Sequence, residues 1–189
     1  MNNVELLQNV LAETRRIVDN TSEAQLAQSS PCEGWAVRDV LNHITGGATL
    51  FAISAEEGSV PDDLVGQLMG GDNLGDDPYG AWKRAADRAE TAFTQPGVMD
   101  KMLTLPFGTM PAEAALNIAV FDVATHACDI AHGTGQKIED TETFEAALEV
   151  GKGVVTPDFR MPGVFDAEQP ASGGAPIQER LLKFGGRRI

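Results

Sequence analysis

Four long stretches of the sequence repeat apolar residues about every 3.6 positions, the period of one face of an α-helix. Residues that start or stop helices bound each stretch, such as the first-turn proline Pro78 and the break at Gln95-Pro96-Gly97. Because an amphipathic helix has to bury its apolar face, the pattern predicts an all-α bundle of four main helices. The predicted helices are about Val4 to Val18, Trp35 to Ala55, Pro78 to Thr94 and Pro111 to His132.

The connections between these helices are rich in glycine, proline and acidic residues. Residues 56–77 are predicted to form a long loop with a short helical piece near Asp63 to Met69. The segment Met99 to Phe107 alternates in part and predicts a short extended piece. Gly133, beyond the fourth helix, is predicted to end it.

The length of 189 residues predicts one domain with an appended segment, at about 150 residues per domain. Two further short helices fit Thr141 to Gly151 and Pro176 to Phe184. We expect residues 1–151 to form the helical bundle and residues 152–189 to form a C-terminal extension packed on the same domain. This extension is too short to supply a second substrate-binding domain.

The charge balance narrows the range of partners. Twenty-eight acidic residues against 14 Lys and Arg give a net charge of −14, which repels phosphate backbones and anionic lipids. The sequence therefore predicts neither nucleic-acid binding nor membrane association. With no signal-peptide pattern and no run of 18 apolar residues, we expect a cytoplasmic protein. Cys32 and Cys128 are too few for a disulfide framework and are predicted to be small buried side chains.

Candidate chemistry lies with the histidines. Asp122 precedes His126 by four residues in the most apolar stretch of the chain, so both side chains project from one helix face. A carboxylate in such a stretch needs a partner. His43 lies at the edge of the second helix's apolar stripe, and two histidines with one carboxylate would form an open metal-binding triad.

The spacing alone leaves another interpretation open, in which Asp122 is a hydrogen-bonded buried carboxylate and His126 is a core imidazole. An acid four residues before a histidine is not specific in so acidic a chain, because Asp39 stands in the same relation to His43. His132 falls in the last helical turn, where a cation is favoured by the helix dipole.

Two motifs carry a resemblance to a known family. Together they resemble the DinB-like superfamily, and more narrowly its actinobacterial metal-binding branch, which is related to the N-terminal domain of mycothiol-dependent maleylpyruvate isomerase. The resemblance covers about residues 3 to 151. The motifs are Pro31-Cys32-Glu33-Gly34-Trp35 leading to Val37-Arg38-Asp39-Val40-Leu41-Asn42-His43, and Asp122-Val123-Ala124-Thr125-His126-Ala127-Cys128-Asp129-Ile130-Ala131-His132-Gly133-Thr134-Gly135-Gln136.

The resemblance implies a four-helix bundle with one long crossover and short peripheral helices, a divalent metal at one end of the core, and a homodimer. By motif position the metal ligands would be His43, Asp122 and His126. The isomerase branch typically has Glu as the acidic ligand, and Asp is one methylene shorter. The chain also has Cys128 where the family often has Trp, and His132 where it often has Arg.

The function implied is that of a metal-dependent enzyme, a transferase or isomerase that adds a low-molecular-weight thiol, of the mycothiol or bacillithiol type, to a small electrophile. The alternative is a metal-binding or small-ligand module without turnover, so the sequence leaves open whether the protein is an enzyme. Two histidines and a carboxylate suit zinc best, with Ni, Fe or Mn also compatible. The partners expected are a small-molecule substrate, a thiol and a second copy of the chain.

Overall fold

The computed structural model of the chain describes residues 1–157, 160 and 165–189. Within them the protein is helical apart from one two-stranded hairpin, so the predicted all-α class is confirmed. In chain order the elements are α1 (Asn3–Asp19), α2 (Glu23–Leu26), α3 (Val37–Glu57), α4 (Asp62–Gly70), α5 (Pro78–Phe93), β1 (Met102–Leu105), β2 (Gly108–Pro111), α6 (Ala112–Thr134), α7 (Thr141–Val154) and α8 (Ile177–Phe184).

Four long helices, α1, α3, α5 and α6, enclose the core. Helix α3 packs against α5 and α6, and α1 packs against α6 and α5, so each helix buries its apolar stripe against two neighbours. Large side chains such as Trp82 of α5 and Phe121 of α6 are fully buried between them. The four helices match those predicted from the apolar period.

Helix α6 forms the centre of this arrangement. Among the described residues it is the one helix long and apolar enough to cross a membrane by length and composition, but 78% of its most apolar window is buried inside the fold. Helices α1, α3, α7 and α8 all pack on it. A polar side chain on the covered faces of α6 therefore has to find its partners within the protein.

Shorter elements surround the bundle. Helix α4, the helical piece predicted inside the long loop, packs on α3. The extended piece is half of a hairpin in which Met102 pairs with Pro111 and Leu105 pairs with Gly108, antiparallel. Leu103 and Leu105 point into the core. Helix α8 packs on α6 and α7, which holds the C-terminal segment against the bundle.

Several predicted boundaries were wrong by a few residues. Helix α3 begins at Val37 instead of Trp35, because Ala36 is its N-cap and donates its backbone N–H to Asp39 Oδ2 at 2.8 Å. Helix α6 begins at Ala112 because Pro111 still belongs to the hairpin. The four-residue helix α2 was not predicted, since a single turn has no measurable apolar period.

The predicted end of α6 at Gly133 was also wrong. The helix continues to Thr134 and ends at Gly135, whose φ of +73° is the left-handed conformation that favours glycine. Gly133 instead provides space, because a Cβ there would lie 2.8 Å from a Val37 side-chain carbon and 2.9 Å from the Ser29 carbonyl oxygen. A close helix contact and a helix end both favour glycine, and the sequence does not distinguish them.

Replacing Gly46 with Ala should destabilise the protein. A Cβ at this position of α3 would collide with the Leu68 carbonyl oxygen of α4 and lie 2.6 Å from Asn73 Nδ2, so α4 would have to move. We expect a loss of about 1–3 kcal/mol in the free energy of unfolding, measured by chemical denaturation.

The matched control is Gly66→Ala, within α4. A Cβ at Gly66 meets nothing within 4 Å, and alanine in a helix interior is favoured over glycine by about 0.5–1 kcal/mol. The two substitutions should therefore change stability in opposite directions. A Gly46→Ala protein as stable as the parent would contradict the close packing of α3 and α4.

Candidate metal centre

Two packed helices bring the three predicted ligands together. His43 lies on α3, and Asp122 and His126 lie one turn apart on α6. His43 Nε2 and His126 Nε2 each lie 3.6 Å from Asp122 Oδ1. One candidate ligand atom from each of the three residues lies within 4.8 Å of the other two. The i, i+4 spacing on α6 thus places both side chains on the face that meets α3.

The site lies at the edge of the core. The side chains of His43, Asp122 and His126 are 21%, 18% and 9% exposed. Helix α3 passes close to the carboxylate at Gly47, where a Cβ would be in ordinary van der Waals contact with Asp122 Oδ2 at 3.6 Å. The cluster is therefore partly shielded from water and still reachable from the His43 side.

The donor set fits a divalent transition metal. A separation of 3.6 Å is longer than a good hydrogen bond, so the three groups are not satisfied by direct bonds to one another. Two ligand atoms bound to tetrahedral zinc at its usual bond lengths lie about 3.3 Å apart. The two separations of 3.6 Å are close to this value, and the widest separation among the three ligand atoms, which is within 4.8 Å, would have to shorten for all three to bind one zinc ion.

Burial and charge shift the pKa values of the three groups. Burial lowers the pKa of His126 below its ordinary value. Burial also acts to lower the pKa of His43, but the facing carboxylate of Asp122 outweighs it and raises that pKa. The pKa of Asp122 is lowered by His43 and His126 despite the opposing effect of burial. His126 therefore favours the neutral form that binds metal.

A buried carboxylate and a buried guanidinium stand behind His126. The Nδ1 atom of His126 lies 2.8 Å from Asp129 Oδ2, and the Asp129 side chain is fully buried. Arg187 Nη2 donates to Asp129 Oδ2 at 2.8 Å, and Arg187 Nε donates to Asp129 Oδ1 at 3.2 Å. Because an ionised carboxylate only accepts, His126 carries its proton on Nδ1 and presents the Nε2 lone pair to the cluster.

Sequence reasoning did not assign these two supporting residues. Asp129 follows His126 by three residues, the other spacing that places side chains on one helix face, and this signal was available. Arg187 is 58 residues away along the chain, and no local pattern connects it to Asp129. Burial acts to raise the pKa of the Asp129 carboxyl, but the hydrogen bonds and charges of His126 and Arg187 outweigh it and hold that pKa below its usual value.

Trp35 covers the two histidines from the loop before α3. Its ring lies parallel to that of His126, with centroids 6.1 Å apart and an angle of 10°, and its centroid is 5.2 Å from that of His43. Gly34, with φ of +80°, completes the turn in which the Trp35 N–H donates to the Cys32 carbonyl at 3.0 Å. The first sequence motif therefore shapes the rim of the site.

A cleft of about 370 Å³ opens beside His43. It is bounded by Trp35 on one side and by the end of α4 on the other, where Met69 is half exposed. Asn42 of α3 holds the segment after α4 in place, because its side chain donates a hydrogen bond to the Gly71 carbonyl at 2.9 Å. A larger hollow of about 460 Å³ lies nearby, between α2 and the start of α5, but none of the three candidate ligands lines it.

The other residues considered from the sequence are not among the three clustered candidate ligands. Asp39 caps the start of α3. His132 is exposed near the end of α6, where a helix-dipole role was expected. Cys128 is fully buried, as predicted, and burial raises the pKa of its thiol well above the usual value. Cys32 is partly buried, and burial raises the pKa of its thiol as well.

Comparison with known proteins gives one consistent result. Residues 7–131 match the family described as mycothiol maleylpyruvate isomerase N-terminal domain. Two uncharacterized proteins of Mycobacterium tuberculosis, from strains CDC 1551 / Oshkosh and ATCC 25618 / H37Rv, are each 31% identical to the chain over 179 residues. These alignments cover 92% of this chain and 91% of each relative.

Two solved structures have a similar fold. One is the crystal structure of the mycothiol-dependent maleylpyruvate isomerase, with a TM-score of 0.59 and 18% identity. The other is a variant of that isomerase with one histidine replaced by alanine, with a TM-score of 0.58 and 17% identity. The matches cover 77% and 78% of this chain and 66% and 65% of the isomerase chains, just under two thirds of their length.

The raised pKa of His43 predicts how stability depends on pH in the metal-free protein. A histidine whose pKa is higher in the folded state than in the unfolded state stabilises the folded protein. This stabilisation is complete at pH values below the unfolded-state pKa of about 6.5, and it is lost as the pH rises through the folded-state pKa. His43→Gln should therefore cost more unfolding free energy at about pH 5.5 than at about pH 8.5, measured by denaturation with chelator present.

The comparison between the variant and the parent reports on the whole cluster, because His43 also helps to lower the pKa of Asp122 and the pKa of His126. His132→Gln, at the exposed end of α6, controls for loss of an imidazole. An identical cost of His43→Gln at both pH values would show that the ion pair between His43 and Asp122 does not form.

Proposed function

The chain belongs to the mycothiol maleylpyruvate isomerase N-terminal domain family, and on that premise we propose that it binds a divalent metal and uses a low-molecular-weight thiol to act on a small electrophile. The reaction would be an S-transfer or an isomerisation, with a thiol of the mycothiol or bacillithiol type. The observation that carries this proposal is the convergence of His43, Asp122 and His126 beside an open cleft.

The donor set suits a catalytic site better than a purely structural one. Three protein ligands are one fewer than structural zinc sites use, so a coordination position is left for another ligand. A divalent ion bound there would act as a Lewis acid and lower the pKa of a bound thiol. Of the three donors only Asp122 is anionic, so the site retains attraction for an anionic ligand such as a thiolate.

The surrounding residues have separate roles in this proposal. Asp129 holds the proton of His126 on Nδ1, which directs the Nε2 lone pair toward the other two donors. Trp35 excludes water from one side of both imidazole rings. This partial shielding strengthens the electrostatic effect of the Asp122 charge at the site.

The cleft sets the size of the substrate. At about 370 Å³ it is near the lower end of typical small-molecule pockets. Trp35 and Met69 provide apolar surface, and the polar side chains of Asn42 and Asp39 lie along the same wall. A small compound with both polar and apolar parts, lying next to His43, is consistent with this lining.

The metal proposed is zinc, for which two imidazoles and a carboxylate are a common ligand set. The same donors suit Ni, Fe and Mn, so the metal is to be identified by analysis rather than by ligand type. We further propose that the chain acts as a homodimer.

A second candidate function is a metal-binding or small-ligand module without turnover. The extent of the structural match favours this function. The match covers 66% of the isomerase chain, and the rest of that chain has no counterpart in the alignment. Substrate contacts made by that remainder would not carry over to this chain. The two candidates share the metal centre and differ only in thiol chemistry.

Protein purified without a nickel column and incubated with zinc should hold about one ion per chain, measured by elemental analysis after gel filtration. His126→Ala removes one of three donors and should lose that ion. His132→Ala, on the exposed end of the same helix, should keep it. Full occupancy in the His126→Ala protein would rule out the proposed ligand set.

With mycothiol or bacillithiol present, the metal-loaded protein should convert maleylpyruvate or another small unsaturated carbonyl compound. The assay follows loss of that compound, because an S-transfer consumes the thiol whereas an isomerisation adds the thiol and then releases it. His43→Ala should reduce this rate to that of the metal-stripped protein, because the metal ligand is lost. His132→Ala should retain the parent rate. A protein that holds its metal but converts the electrophile with neither thiol would be the module and not the enzyme.

A further inference from the structure

We propose that the C-terminal tail is a functional part of the metal centre, with Arg187 acting as a positioning residue for His126 through Asp129. This inference rests on the proposed metal site and extends it. Docking of the tail and binding of the metal would then reinforce each other. Three features support this role: a bidentate buried ion pair, a fixed turn that delivers Arg187, and the direct contact of Asp129 with His126.

The ion pair is almost completely enclosed. The Asp129 side chain is 0% exposed and that of Arg187 is 9% exposed. Both carboxylate oxygens accept from the guanidinium, and Oδ2 also accepts from His126 Nδ1 at 2.8 Å. A buried carboxylate with its partner removed is strongly unfavourable. Arg187 therefore allows an ionised carboxylate to stand behind His126 in the core.

The same contacts fix the position of the imidazole. Arg187 Nη2 lies 3.5 Å from His126 Nδ1, and both nitrogens carry hydrogens that point to Asp129 Oδ2. Because Arg187 holds both oxygens of the carboxylate, Asp129 is fixed in one orientation, and this orientation favours one tautomer of His126. Partners of this kind behind a metal-binding histidine typically change metal affinity by about 10- to 100-fold when they are removed.

The chain delivers Arg187 through a defined helix end. After α8, Gly186 adopts φ of +90°, and the N–H groups of Gly186 and Arg187 donate to the Lys183 and Leu182 carbonyls at 3.0 and 2.9 Å. These two bonds form a Schellman motif. Arg187 Nη1 also donates to the Gly185 carbonyl at 2.8 Å. The backbone thus turns the guanidinium inward to Asp129.

The base of the tail is held by the core. Leu181 and Leu182 of α8 are fully buried, and a Cβ on Gly186 would lie 2.7 Å from Asp166 Cβ. Ordering of this turn, placement of Arg187 and orientation of His126 are therefore connected through direct contacts. Because coupling between two binding events is reciprocal, a metal on His126 should also hold the tail in place.

The first test is zinc affinity, measured by competition with a chromophoric chelator, for the parent and three variants. Arg187→Met removes the guanidinium and keeps much of the side-chain volume, and it should weaken zinc binding by about 10- to 100-fold. Arg187→Lys keeps the charge but not the bidentate contact, so its zinc affinity should lie between those of Arg187→Met and the parent. Arg188→Met, at the exposed neighbouring position, should bind as the parent does.

A second readout separates positioning from general destabilisation. Nitrogen NMR of the metal-free protein should show the Nδ1-protonated form of His126 in the parent and a mixture of tautomers in folded Arg187→Met. If that variant fails to fold, hydrogen exchange of the parent decides. Zinc should slow exchange at the Gly185 and Arg187 amides, and it should not do so in His43→Ala, which lacks a ligand.

The outcomes distinguish this inference from the proposal on which it rests. Zinc binding by the parent with unchanged affinity in folded Arg187→Met would overturn the inference and leave the metal site standing. So would zinc binding without any change in exchange at the tail amides. A parent protein that binds no zinc would overturn both. Graded loss from Arg187→Lys to Arg187→Met, with Arg188→Met unaffected, would establish the role of the tail.

Discussion

The structure depends on how one buried helix accommodates charge. Asp122, His126 and Asp129 lie within two turns of α6, and this helix is otherwise covered by apolar contacts on several sides. Charged groups in such a position need partners. His43 of α3 is the partner on the cleft side, and Arg187 of the C-terminal segment is the partner on the opposite side. The polar groups therefore form a continuous line through the core, from the cleft to the C-terminal segment.

Much of the fold was predictable because the four long helices bury one face each, and burial imposes the 3.6-residue period. The faces of α6 and α3 that carry His43, Asp122 and His126 followed from the same period. The short helix α2 and the end of α6 at Gly135 could not be predicted in this way, because they depend on a single turn and on close packing around Gly133.

The limit of sequence reasoning is clearest at His126. Its forward partner Asp122 is four residues away on the same helix, so local geometry connects them. The support behind it comes from Asp129 and Arg187, and the second of these reaches the site only because α8 packs on α6 and α7. Contacts that form through tertiary packing leave no periodic signal in the sequence. The resemblance of the two motifs to a known family pointed to the candidate ligands His43, Asp122 and His126, and not to Arg187.

The glycine pair on α3 has a mechanical consequence. Gly46 allows close contact with the Leu68 carbonyl of α4, and at Gly47 the backbone of α3 passes near Asp122 Oδ2. In the proposed metal site, an aspartate as short as Asp122 needs this proximity, whereas a longer glutamate would span a wider gap between the helices. A cation larger than zinc at the proposed site would have to move α3 and α6 apart, and the packing energy of the bundle would oppose that movement.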